Sequence, residues 1–219
     1  MKTGKGNIPV DHSYITDLPE GFRIGTEEDF PLISLTLAQA FADYNYPIPS
    51  VPLSYSAHLR FFYDNFYFMV NNAFEHGVVL TNEDFSAVMV TVPLEKTCVM
   101  PLDEIASRMT KYAPPEAAEN MRAIFRRAEE LEAELSFKEG TVYVECFAVQ
   151  TPRQGQKLGS RLMRQLFAQC DGKGRDVMLF TNTEKNRAIY EHLGFECIRE
   201  DHAEELNSDT YFMLHRAKH

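Results

Sequence analysis

Two stretches decide the fold: TVYVECFAVQTPRQGQKLGSRLMRQLFAQC, residues 141–170, and DVMLFTNTEKNRAIYEHLGFECIRE, residues 176–200. The first opens on a run of β-branched and aromatic residues, Thr141 to Val149, which predicts a strand. A polar, glycine-bearing turn follows, and then apolar residues at helical spacing over Leu158 to Cys170. The second gives a strand over Asp176 to Thr181, a short helix over Lys185 to Leu193 and a strand over Phe195 to Arg199. A helix that begins inside such a turn aims several backbone N–H groups, unpaired within the helix, at one point. Its dipole adds partial positive charge there, an arrangement suited to a pyrophosphate. Gly155 and Gly159 allow close approach because no Cβ intervenes. Neither G-x-G-x-x-G nor G-K-[ST] occurs in the turn, so it is neither a dinucleotide fingerprint nor a P-loop.

Working outward, Phe22 to Gly25 reads as a first strand, and Thr26 to Asp29 has the pattern of a capping box. Ile33, Leu37, Phe41 and Tyr44 predict a helix to about Asn45, broken by Pro47, Pro49 and Pro52. A second helix is expected over Ser56 to His76, then a hairpin of Gly77 to Thr81 and Phe85 to Val92. Leu102 to Phe137 is helical in two pieces separated by Pro114 and Pro115, and Thr210 to His215 forms a last strand. Alternating strands and helices give an α/β class. Residues 1–20 read as an N-terminal segment and 21–219 as one domain, with a helical insertion at about 101–137 and a core at about 141–200.

Composition narrows the function classes. The chain has 219 residues, 44% of them apolar, enough for a packed core. Its formal net charge of −10 disfavours a phosphate-tracking nucleic-acid binder and favours cationic partners. No apolar run reaches the roughly 18 residues of a membrane span, and no secretory signal opens the chain, so a cytoplasmic location without membrane contact is expected. Cys98, Cys146, Cys170 and Cys197 lack metal-ligand spacing and read as thiols; no metal is expected.

The turn and the second helix together resemble the GNAT superfamily of N-acetyltransferases. Gln154, Leu158 and Gly159 fall in register with that family's [QR]-x-x-[GA]-x-[GA] signature, and Asn186, Tyr190, Gly194 and Phe195 with its N-x-x-x-[YF]-x-x-x-G-[FY] pattern. Lys157 departs from the pattern, standing where the family usually has its middle glycine. The insertion ahead of the central strand is similar to the organisation of puromycin N-acetyltransferase-like members. The resemblance implies a mixed, mostly antiparallel seven-stranded sheet flanked by helices, with acetyl-CoA as cosubstrate and a small-molecule or peptide amine as acceptor. It also implies coenzyme contacts from Phe147, Ala148, Val149, Gln154, Gly155, Gln156, Lys157, Leu158, Gly159, Ser160 and Asn186.

By the same resemblance Tyr190 would protonate the leaving thiolate, the alternative being a packing tyrosine. Asn186, one turn before it, would bind the coenzyme or serve as a helix-start residue. Glu145 interrupts an apolar strand. Strict alternation puts it on one face with Tyr143, Phe147 and Val149, and Cys146 on the other. A carboxylate buried there has a raised pKa and suits a general base; otherwise it reaches solvent or pairs with Arg199 or Arg216. His192 and His76 read as helix C-terminal residues, and the aromatics Phe61 to Phe68 as mostly core with some lining an acceptor pocket. Asp43, Tyr44, Asn45 and Tyr46 would fall near an acceptor loop. Beside the transferase stand two alternatives: a non-catalytic coenzyme A or acyl-CoA sensor, and a protein-binding domain. The oligomeric state is open.

Overall fold

A computed structural model describes residues 14–43 and 53–218. Thr26 N–H donates to the Asp29 carboxylate at 2.9 Å, closing a short 3-10 turn over Glu27–Asp29 that launches the first helix. Seven strands, β1 (Phe22–Ile24), β2 (Val78–Asn82), β3 (Ala87–Pro93), β4 (Val142–Val149), β5 (Val177–Thr181), β6 (Glu196–Ala203) and β7 (Ser208–His215), form one sheet in the order β1-β2-β3-β4-β5-β7-β6. Every pairing is antiparallel except β4 with β5.

The sheet lies between two helical layers. Helices α1 (Phe30–Asp43), α2 (Tyr55–His76), α3 (Leu102–Met109) and α4 (Pro115–Ala133) cover one face, with Val88, Val90 and Val92 of β3 beneath them. On the other face α5 (Leu158–Asp171) buries Leu162, Met163 and Leu166 against Ala87 and Met89, and α6 (Glu184–Leu193) adds Tyr190 and Leu193 at the margin. The described part of the N-terminal segment packs into this second layer. Tyr14 is fully buried and donates its hydroxyl to Thr91 O at 3.1 Å. Among the described residues, no helix is long and apolar enough to cross a membrane.

Expected elements and observed ones differ at their ends and at one interior point. The two helices of the insertion stop at Ala133 rather than Phe137. Within β4 the register against β3 slips: Val90 faces Cys146 but Thr91 faces Val144, leaving Glu145 as the extra residue of a β-bulge. Strict alternation therefore fails. Val142 and Val144 point to the α5 layer, as do Phe147 and Val149 beyond the bulge, whereas Tyr143, Cys146 and Ala148 point to the α1–α4 layer. Tyr143 does not share a face with Phe147 and Val149.

Candidate active site

Strands β4 and β5 pair only at Val142 with Val177 and Tyr143 with Met178. Beyond Tyr143 the edge of β4 that faces β5 has no strand partner, and the two strands diverge. A cavity of about 690 Å3 opens in that wedge, lined by Val144 to Val149 on one side and Leu179 to Asn182 on the other. A volume of that size takes a sizeable organic ligand.

At one end lies the glycine-bearing turn. Lys157 is the N-cap residue of α5, with φ 63° and ψ 11°. That left-handed conformation is one an L side chain adopts only at a cost of about 1–2 kcal/mol, which explains why a glycine is usual there. The backbone still turns as required. The first helical bond of α5 runs from Arg161 N–H to Lys157 O at 3.0 Å, so the amides of Leu158, Gly159 and Ser160 precede the helix ladder. A Cβ on Gly159 would stand 2.8 Å from Phe147 Cζ and 3.4 Å from Val149 Cγ2, so only glycine lets α5 seat this close to β4. Gly155 needs its freedom for a different reason: its φ is 79°. Gln154 folds back to donate to Val149 O at 3.2 Å, fastening the turn to the strand end. Arg153 fastens it to the β2–β3 hairpin through Asp84 at 2.8 Å.

The floor and far wall bring in the other expected residues. Asn186 and Tyr190 stand one turn apart on α6 and both line the cavity. Thr183 Oγ1 accepts the Asn186 backbone N–H at 3.2 Å, an N-cap that fixes where the helix starts. The Tyr190 ring rests edge-on against Phe195, centroids 5.7 Å apart, and Gly194 closes the helix with φ 113°. Of the residues expected to touch coenzyme, Gln156 alone lies outside the lining; its side chain is exposed.

Glu145 also lines the cavity, and the bulge determines how. It sits with Cys146 toward the α1–α4 layer, contrary to the simple alternation that separates them, because a bulge turns two successive side chains to one side. Oε1 accepts the Cys98 backbone N–H at 2.7 Å, while Oε2 is shielded from solvent and without a protein partner. Burial drives its pKa from 4.5 up to about 7, against the opposing pull of the Cys98 hydrogen bond. The arginines considered as partners are engaged elsewhere, Arg199 with Glu134 at 3.0 Å and Arg216 near Glu196 at 3.8 Å.

The remaining walls come from α1, α2 and α4. Phe61, Phe62 and Phe66 of the aromatic set face inward, whereas Tyr63, Tyr67 and Phe68 do not line the cavity; Tyr67 and Phe68 pack under the Arg108 guanidinium. Phe41, Met69, Phe125 and Asn65 complete this side and were not singled out from sequence as site residues. Asn65 carried a signal: it is a polar residue at i+3 and i+4 from Phe62 and Phe61, on an otherwise apolar face. Asp43 ends α1, and Tyr44, Asn45 and Tyr46 lie outside the described residues.

Residues 126–197 match the family described as the acetyltransferase (GNAT) domain. No curated protein matches the chain by sequence. Among solved structures, a histone acetyltransferase HPA2 and related acetyltransferase from Corynebacterium glutamicum aligns with a TM-score of 0.60 at 16% identity, covering 90% of this chain and 96% of its own. Mosquito arylalkylamine N-acetyltransferase like 5b aligns at 0.56 and 15% identity, covering 89% and 98%. Arylalkylamine N-acetyltransferase 2 from Aedes aegypti aligns at 0.55 and 14%, covering 90% and 98%. The match over residues 126–197, the strand order and the splayed β4–β5 pair agree: the chain has the fold of these acetyltransferases, and residues 126–197 are similar to the acetyltransferase (GNAT) domain.

Proposed function

We propose that the protein transfers an acetyl group from acetyl-CoA to a primary amine by direct attack within a ternary complex. One observation carries this: a single cavity joins the open amides of α5 to the Tyr190 phenol and to a buried carboxylate, Glu145. The solved relatives named for acetylation of histones or arylalkylamines are consistent with an amine acceptor.

The residues present fit the coenzyme. Leu158, Gly159 and Ser160 offer backbone N–H groups to a pyrophosphate at a helix N-terminus, and Gly159 keeps the approach clear. The unpartnered edge of β4 from Phe147 to Val149 suits an extended, amide-bearing arm, and Asn186 hydrogen-bonds it from α6. Bound acetyl-CoA supplies the acetyl group as a thioester with a thiolate leaving group.

A protonated amine has no lone pair, so the acceptor must lose a proton before or during attack. Glu145 takes it, directly or through water, because its raised pKa matches neutral pH. The amine nitrogen bonds to the carbonyl carbon, a backbone N–H of β4 stabilises the developing oxyanion, and the carbon–sulfur bond breaks. Tyr190 donates its phenolic proton to the sulfur. The narrower likeness to puromycin N-acetyltransferase-like members is one of organisation, α3 and α4 standing ahead of β4, and a cytoplasmic location goes with the same proposal.

Calorimetric titration with acetyl-CoA, followed by a panel of amines monitored for free thiol, tests the proposal. Binding with amine-dependent thiol release is expected. Binding without release from any amine would favour a coenzyme sensor, and no binding would remove the transferase.

A further inference from the structure

The cavity divides by residue type. Its coenzyme end holds Arg153, Lys157 and Lys185, whereas the walls from α1, α2 and α4 present aromatic and aliphatic side chains. Phe41, Phe62 and Phe66 pack on one another as an aromatic wall there: Phe41 meets Phe66 with centroids 4.9 Å apart and Phe62 at 5.6 Å, and Phe62 stacks on Phe66 at 6.0 Å. Among the described residues, Asn65 is the one polar side chain that these three helices contribute to the lining.

Asn65 is oriented without ambiguity. It is 3% exposed, and its Nδ2 donates to Phe61 O at 2.7 Å. A carbonyl can only accept, so the amide nitrogen must occupy that side and Oδ1 the other. Oδ1 is buried and without a protein partner. A buried acceptor of this kind is costly to leave unmade, and a donor on a bound molecule would satisfy it.

Charge disfavours several acceptors. A polyamine would bring a second ammonium, and a free amino acid a carboxylate, to walls from α1, α2 and α4 that among the described residues hold no charged side chain. Such a group would be desolvated without a partner. Met69 Sδ lies 3.3 Å from Cys146 Sγ, beside Glu145, and Asn65 is one turn earlier on the same helix, so Glu145 and Asn65 line one cavity.

Resting on the transferase reading, we infer that the acceptor is a monoamine with a flat aromatic body and one hydrogen-bond donor at its far end, which Asn65 Oδ1 accepts. Tyramine, phenethylamine, spermidine and glycine, each with acetyl-CoA and a thiol readout, test this. Tyramine is expected to exceed phenethylamine about tenfold in kcat/KM, since a site built around a substrate hydroxyl rejects the analogue without it. Both should exceed spermidine and glycine. In Asn65→Leu the tyramine preference over phenethylamine should fall to within about twofold. Preference for spermidine or glycine overturns the inference and leaves the transferase standing; release with none of the four overturns the inference, and the acetyl-CoA titration judges the transferase separately. Equal wild-type rates for the two aromatic amines overturn the role of Asn65, and this comparison judges it even if Asn65→Leu does not fold.

Discussion

Replacing Glu145 by Gln should make the protein slower and, above neutrality, more stable. The carboxylate is held out of water by the bulge of β4, and its pKa stands at about 7 instead of 4.5. Each pKa unit is worth about 1.4 kcal/mol, so ionised Glu145 costs the folded state about 3 kcal/mol. The sign follows from proton binding: between pH 4.5 and 7 the folded state holds a proton the unfolded chain has released, so stability falls as pH rises through this window. Below it the penalty is absent; above about 7 it is complete. Gln is neutral throughout, and its amide oxygen can keep the Cys98 N–H bond. Near pH 4 the two proteins should unfold alike. At pH 8.5 the variant should be more stable by about 2–3 kcal/mol, a rise of roughly 5–10 °C in Tm for a chain of this size. Its turnover should drop by about 10²–10⁴-fold and lose the rise through pH 7. Urea unfolding of both proteins at the two pH values, beside pH–rate profiles, checks both halves. Equal stability at pH 8.5 would refute the desolvation, and an unchanged rate profile would refute the base.

Tyr190→Phe keeps the edge-on contact with Phe195 and removes the proton donor; kcat should fall about 10²-fold or more with acetyl-CoA affinity, by calorimetry, within about twofold. Lys157→Gly relieves the positive φ and should raise stability by about 0.5–1 kcal/mol in denaturant unfolding without weakening coenzyme A binding. Gly159→Ala drives a methyl to 2.8 Å from Phe147 Cζ, so it should cost about 1–3 kcal/mol of stability and weaken coenzyme A binding in the same titration.

The element order and the glycine-bearing end of the cavity were legible because they rest on local signals. Periodicity, the Gly194 stop and the glycine-bearing turn each act within a few residues. Glu145 was legible as a misfit, a charge in an apolar strand, but its neighbours were not. A bulge inserts one residue without altering composition, so alternation counted from Tyr143 arrives at Phe147 on the wrong face. The other end of the cavity was least legible. It is assembled from α1, α2 and α4, far apart in sequence, and Phe125 or Met69 looks locally like any core residue. Only Asn65, polar among aromatics, departed from its surroundings.

Helix α4 reaches the cavity with Phe125 and Ala128, yet it is anchored from outside, by Arg127 holding Asp201 of β6 at 2.7 and 3.0 Å. None of the elements that would grip the coenzyme belongs to α1, α2 or α4. The molecule is thus built like a tool with a fixed handle and an exchangeable bit. On the proposed function, substitutions in these three helices would change which acceptor fits while leaving the proposed coenzyme-binding elements β4, β5, α5 and α6 untouched.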